Sequence, residues 1–147
     1  MHVFTGPYLA DSEFRQLKEQ SGPHVTIERF AHDFVQRVAA ADLLVSMAGY
    51  NTCMNILSTA VRALVLPFTG NQNEEQTIRA HKLQTLGCLT MLEAADLETP
   101  SRLAQRIHDG LSQPKPATAS LNLQGVGTTR QLLWDLCKTN TAAVAHV

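Results

Sequence analysis

The sequence predicts an α/β domain: a Rossmann-like parallel sheet with helices on both faces. Short apolar runs alternate with segments of helical period along the chain, the pattern of strands joined by crossover helices. The runs Leu43-Leu44-Val45 and Ala63-Leu64-Val65-Leu66 are continuous rather than alternating, as in strands buried on both faces. Glycine and proline supply the punctuation at Gly6-Pro7, Gly22-Pro23, Gly49, Pro67 and Gly87.

Val3 to Gly6 reads as the first strand. Asp11 to Gln20 reads as a helix with Asp11 or Ser12 as cap and Phe14 and Leu17 on one face; Ser21-Gly22-Pro23 stops it. Val25 to Glu28 is the second strand, and Asp33 to Ala41 a helix carrying Phe34, Val35 and Val38. Leu43 to Val45 is the third strand and Tyr50 to Ala60 its helix. Ala63 to Pro67 is the fourth strand, followed by a polar loop from Phe68 to Asn73. A helix then opens with Glu74-Glu75-Gln76 and stops at Gly87. Cys88 to Leu92 is the last strand, Ala94 to Thr99 a connector, Ser101 to Leu111 a helix and Gln113 to Ala119 a linker. Gly125 to Lys138 gives a final helix, on which Trp134 reads as core or as an anchor for a partner. The tail Thr139 to Val147 is expected to fray. The division is residues 1–112 as a Rossmann-like domain, with 113–147 as linker, C-terminal helix and tail packing on it.

At 147 residues the chain is long enough for one domain with a proper core. A net charge of −1 gives no electrostatic case for nucleic acid. No apolar run reaches the length of a membrane span, and the N-terminus lacks the basic and apolar regions of a secretory signal, so a cytoplasmic location is expected. Cys53, Cys88 and Cys137 are scattered, which predicts free thiols in a reducing compartment. The six histidines have no metal-ligand spacing, so no metal and no cofactor is expected. His32 alone sits where a ligand contact is conceivable, two residues after Phe30.

The segment that carries chemistry is Ala48-Gly49-Tyr50-Asn51-Thr52, directly behind an apolar strand and opening a helix. Such a turn aims free backbone amides and the positive end of the helix dipole at an anion, and Asn51 and Thr52 add side-chain donors. A phosphate-bearing ligand follows as the first expectation. The next strand–helix unit places Glu75 and Gln76 at the carboxyl end of a parallel strand, where open α/β sheets bind ligands. Glu75 in the first turn also suits the helix dipole. A carboxylate beside an amide suits a polyhydroxylated ligand, accepting from and donating to adjacent hydroxyls.

These segments, Ala41 to Thr52, Arg62 to Pro67 and Glu74-Glu75-Gln76-Thr77-Ile78-Arg79-Ala80, resemble the carboxyl-terminal half of GT-B glycosyltransferases, in particular the glycosyltransferase 28 group. The resemblance spans roughly Val3 to Leu111. It implies that Gly49, Tyr50, Asn51 and Thr52 face a donor diphosphate and that Glu75 and Gln76 hold the donor sugar. It implies that Phe30 marks the loop for the base, and that Arg79 orients Glu75 or approaches a phosphate. Relatives place a glutamate three residues after the turn's threonine for the ribose hydroxyls. Here that position is Asn55, which is not a charged bidentate acceptor. Phe68 stands where close relatives often carry arginine.

By this resemblance the chain is the donor-binding half of a glycosyltransferase, moving a sugar from a nucleoside diphosphate sugar (UDP-linked) to an acceptor held by another domain or chain, which also supplies the general base. Two further readings stay open: a non-catalytic nucleotide-sugar-binding or regulatory module, which Asn55 favours, and a GT-B-type nucleotide-sugar epimerase. The resemblance also implies that the central first strand of the sheet is not in this sequence. Strand edges at Val3 to Thr5 and at Leu43 to Ser46 would then stand open. That predicts a homodimer in isolation, or cover from a separate acceptor-binding chain.

Overall fold

Five short strands alternate with helices in the computed structural model, which describes residues 1–70, 74–116 and 121–144. In chain order these are β1 (His2–Phe4), α1 (Asp11–Gln20), β2 (Thr26–Glu28), α2 (Phe34–Ala40), β3 (Leu44–Met47) and α3 (Tyr50–Thr59). They continue with β4 (Ala63–Leu66), α4 (Glu75–Thr85), β5 (Thr90–Met91), a 3-10 helix (Ala94–Leu97), α5 (Pro100–Ser112) and α6 (Gly125–Val144). Helix ends follow local chemistry. α5 begins where the Thr99 side chain accepts from the Arg102 amide and Pro100 takes the first helical position, where its missing N–H costs nothing. α4 is terminated by Gly87 at φ 69°, a left-handed conformation that glycine adopts without strain. α1 is preceded by Ala10 with no side-chain cap, so neither Asp11 nor Ser12 serves as the cap.

The strands form two parallel sheets, β1-β2 and β3-β4-β5. Val45 pairs with Leu64 and Leu64 with Thr90, so Val45, Leu64 and Thr90 share one face. Leu44, Ala63, Val65 and Met91 share the other. On that second face lies the core: Val65, Ala63 and Leu44 pack with Val38 of α2, Cys53, Ile56 and Leu57 of α3, and Ala80 and Leu83 of α4. The first face is covered by α5, where a Cβ on Gly110 would come within 3.3 Å of Leu64 Cδ1. Helices therefore flank this sheet on both faces. β4 is buried as expected of a central strand. β3 is not: Val45 and Met47 are 46 % and 51 % exposed, while Leu44 and Ser46 are half-buried. The reason is topological, because among the described residues no element covers the first face beside β3.

α2 joins the two sheets. Its Phe34 packs against the main core and meets Phe4 of β1 edge-on at 5.5 Å, and its Arg37 donates to Glu28 of β2 at 2.9 Å. α6 extends further than the sequence suggested, through Val144; residues 145–147 of the expected fraying tail lie outside the described residues. The Trp134 side chain is 60 % exposed, so it is not a core residue. Cys53 and Cys88 are buried and Cys137 exposed, and none of the three forms a disulfide among the described residues. Among the described residues no helix is long and apolar enough to cross a membrane, and no cluster of side chains could hold a metal ion.

Candidate functional site

The site grows from the carboxyl end of β3. Ala48, fully buried, leads to Gly49, which stands at the N-cap of α3 with φ −61° and ψ 151°. No side chain caps this helix. The first intrahelical bond runs from the Cys53 amide to the Gly49 carbonyl at 2.9 Å, so the amides of Tyr50, Asn51 and Thr52 belong to the first turn, which has no earlier carbonyl to pair with. They open at the positive end of the helix dipole. A Cβ on Gly49 would meet only Thr52 Oγ1, at 3.9 Å, and its backbone angles suit any residue. Among the described residues nothing demands a glycine there.

Arg79 ties this turn to α4. One guanidinium nitrogen donates to the Ala48 carbonyl at 2.9 Å, a second pairs with Glu75 one helical turn earlier, and the plane lies 5.5 Å from the centre of the Tyr50 ring. Its side chain is 17 % exposed against 68 % for Glu75. Gln76 accepts the Phe68 amide proton at 3.1 Å through Oε1, fixing the exit of β4 and leaving its own NH2 to donate. Gly49, Tyr50, Asn51, Thr52, Glu75, Gln76 and Arg79 are thus gathered across the carboxyl ends of β3 and β4. Asn55 lies on α3 one turn beyond Thr52. Phe30 is exposed and makes its ring contact with His32, edge-on at 5.1 Å, rather than with this group.

Two features carry no signal in the sequence. The Ala48 carbonyl is the anchor for Arg79, a backbone role that no residue type signals. Tyr50 also lines a cleft of about 750 Å³ with Val126, Arg130, Leu133 and Trp134 of α6, which places the last helix beside the turn. A smaller cavity of about 300 Å³ sits at Arg62, Gly87 and Gln113, next to the Ala63 start of β4 and so away from the Gly49 turn. Cys53, behind the turn, is fully buried; burial pushes its thiol up, with Arg79 opposing the shift weakly, which is the wrong direction for a nucleophile.

Comparison with known proteins gives a consistent result. Residues 1–130 match the family described as the glycosyltransferase family 28 C-terminal domain. A UDP-N-acetylglucosamine–N-acetylmuramyl-(pentapeptide) pyrophosphoryl-undecaprenol N-acetylglucosamine transferase of Polaromonas naphthalenivorans is 28 % identical over 117 residues, covering 78 % of this chain and 32 % of the relative. The enzyme of the same name from Anaeromyxobacter is 32 % identical over 89 residues, covering 60 % and 23 %. The chain therefore spans about a third or less of the curated relatives it matches. Among solved structures, the glycotransferase of kitacinnamycin superposes with a TM-score of 0.57 at 20 % identity, covering 77 % of this chain and 27 % of that one, which shows a common fold.

Proposed function

The chain belongs to the glycosyltransferase family 28 C-terminal domain family, and from that premise we propose that it binds a nucleoside diphosphate sugar for transfer to an acceptor held by another domain or chain. The relatives named above are transferases of UDP-linked N-acetylglucosamine, which makes UDP the first nucleotide to test. The observation that carries the proposal is the uncapped start of α3 with a glycine that the fold itself does not require. A diphosphate approaching the amides of Tyr50 to Thr52 would require it, because a Cβ at Gly49 would stand in its path. Asn51 and Thr52 would donate to phosphate oxygens, and Asn55 to the ribose. Glu75 and Gln76 would hold the sugar hydroxyls. Arg79 would act as a positioning residue, since its guanidinium is already committed to Ala48, Glu75 and Tyr50.

Titration with UDP, dTDP and UDP-N-acetylglucosamine, followed by calorimetry and by the amide resonances of Gly49 and Thr52, tests this reading. Glu75→Ala is expected to weaken the nucleotide sugar by up to about 1.5–3 kcal/mol while leaving free UDP nearly unchanged. Equal loss for both ligands would place Glu75 on the phosphates or the fold. Silence at Gly49 and Thr52 in millimolar ligand would remove the proposal.

A further inference from the structure

The cavity of about 300 Å³ lies at the amino ends of the main sheet, whereas the Gly49 turn lies at the carboxyl ends. Leu43, Arg62 and Leu89 each stand one residue before a strand, β3, β4 and β5. Gln113 lines it where α5 ends, and Gln84 and Gly87 line it at the end of α4. Leucines 43, 64 and 89 give it apolar walls, and Arg62, Gln84, Thr90 and Gln113 give it polar ones.

The acceptors of this polar set are engaged within the protein, and three donors are not. Gln84 Oε1 accepts the Met91 amide proton at 2.7 Å. A backbone amide only donates, so this bond fixes which end of the Gln84 carboxamide is oxygen. Gln113 Oε1 accepts from Thr90 Oγ1 at 3.2 Å. Both glutamine NH2 groups are then without an acceptor among the described residues. Arg62 donates through Nε to the Gln113 carbonyl and through one Nη to the Asp42 carbonyl at 3.4 Å. Its other Nη has no acceptor among the described residues.

The charge of Arg62 is also unmatched. Arg29, Arg37, Arg79 and Arg106 are half-buried as Arg62 is, and they pair with Asp11, Glu28, Glu75 and Asp96. Among the described residues Arg62 has no carboxylate at ion-pair distance, and the residues outside that set include no aspartate or glutamate. A guanidinium held only by neutral carbonyls leaves positive potential at the cavity. Helix carboxyl ends would oppose an anion through their last carbonyls. Here those carbonyls are closed: Lys82, Leu83 and Gln84 accept from the amides of Leu86, Cys88 and Gly87, and Gly110 accepts from that of Gln113.

We propose that this cavity is a second ligand site, and that it takes a small aliphatic carboxylate. The carboxylate accepts from the remaining Arg62 nitrogen and from the two glutamine NH2 groups, and it supplies the charge that each of the other half-buried arginines finds within the chain. The hydrocarbon body lies on Leu43, Leu64 and Leu89. One positive charge beside two neutral donors suits a monoanion rather than inorganic phosphate. The volume is at the small end for ligand pockets and so bounds the size of the body. The site stands apart from the Gly49 turn and does not rest on the donor reading.

The probe is pentanoate, added at millimolar concentration to the full chain, with 1-pentanol and inorganic phosphate as controls. The side-chain resonances of Gln84, Gln113 and Arg62 Nε–H are followed. Pentanoate is expected to shift all three and to leave the Gly49 and Thr52 amides unmoved; the two controls are expected to bind about tenfold more weakly or less. Gln84→Glu keeps an acceptor for the Met91 amide, so it keeps the fold, while it replaces the NH2 donor by a negative charge beside Arg62. Arg62→Gln keeps a donor for the Gln113 carbonyl and removes the charge. Each variant is expected to weaken pentanoate about tenfold or more. Unmoved resonances at Gln84, Gln113 and Arg62, an equal response to either control, or parental affinity in Gln84→Glu would overturn the proposal.

Discussion

Replacing Gly49 by serine sets stability and ligand affinity against each other. Gly49 occupies the N-cap of α3 with extended backbone angles that serine adopts readily, and the space a Cβ would enter is empty to 3.9 Å. A serine hydroxyl there would accept from the Thr52 amide, or from the Asn51 amide, and supply the cap that α3 lacks. The gain over glycine is a few tenths of a kcal/mol, or a rise in Tm of about 1 °C. That same bond removes an amide from any phosphate, and the side chain stands in the approach path. A hydrogen bond to a charged group contributes about 1.5–3 kcal/mol, so UDP affinity is expected to fall about 10- to 150-fold. Circular dichroism melts and calorimetric titration with UDP measure the two effects on one preparation. An affinity within twofold of the parent, with the helix intact, would show that the diphosphate does not use this turn.

Arg79→Met removes the charged donor from the Ala48 carbonyl, an exposed ion pair with Glu75 and the stacking on Tyr50, while a methionine keeps much of the apolar stem. The expected loss is about 2–4 kcal/mol, most of it from the carbonyl bond, and it should persist in 1 M salt in denaturant unfolding. Asn55→Glu is expected to tighten UDP binding, because a carboxylate accepts from two vicinal hydroxyls at once; calorimetry with UDP and with inorganic pyrophosphate separates the ribose contribution. Asp96 accepts the Glu93 amide and pairs with Arg106 and Arg102, which together hold its carboxyl below the usual value. A lowered folded-state pKa stabilises the fold above the unfolded value near 3.9, and that contribution disappears as pH falls through the folded value. Melts from pH 7 to pH 3 should therefore show Asp96→Asn less stable than the parent at pH 7, with the difference shrinking only at the acid end.

The strand–helix alternation was legible because each element carries its own signal: apolar runs for β3 and β4, and punctuation at Gly22, Gly49 and Gly87. α1 falls on the expected residues, Asp11 to Gln20. What could not be read locally was burial. Leu43 to Val45 has the composition of a strand covered on both faces, yet Val45 is exposed, because cover depends on elements distant in sequence. The same holds for Trp134, whose residue type predicts burial and whose helix stands beside the site with that side chain exposed. At the site, Glu75, Gln76 and Arg79 were identifiable as chemistry-bearing side chains. The Arg79 bond to Ala48 was not, since a backbone carbonyl has no sequence signature.

The division of the sheet also explains which site residues come together. The turn at Gly49 draws its support from β3, β4, α3 and α4. Ala48, Cys53, Ile56, Val65 and Ala80 are all fully buried there, and Arg79 closes the frame over them. Phe30 follows β2 and belongs to the other sheet, which is held to this frame through α2 by the Phe4–Phe34 contact and the Arg37–Glu28 pair. A nucleotide reaching from Phe30 to Gly49 would therefore bridge two bodies of unequal support. Its phosphates would meet a turn fixed by a well-packed core. Its base would meet a loop whose position relative to that core depends on a seven-residue helix.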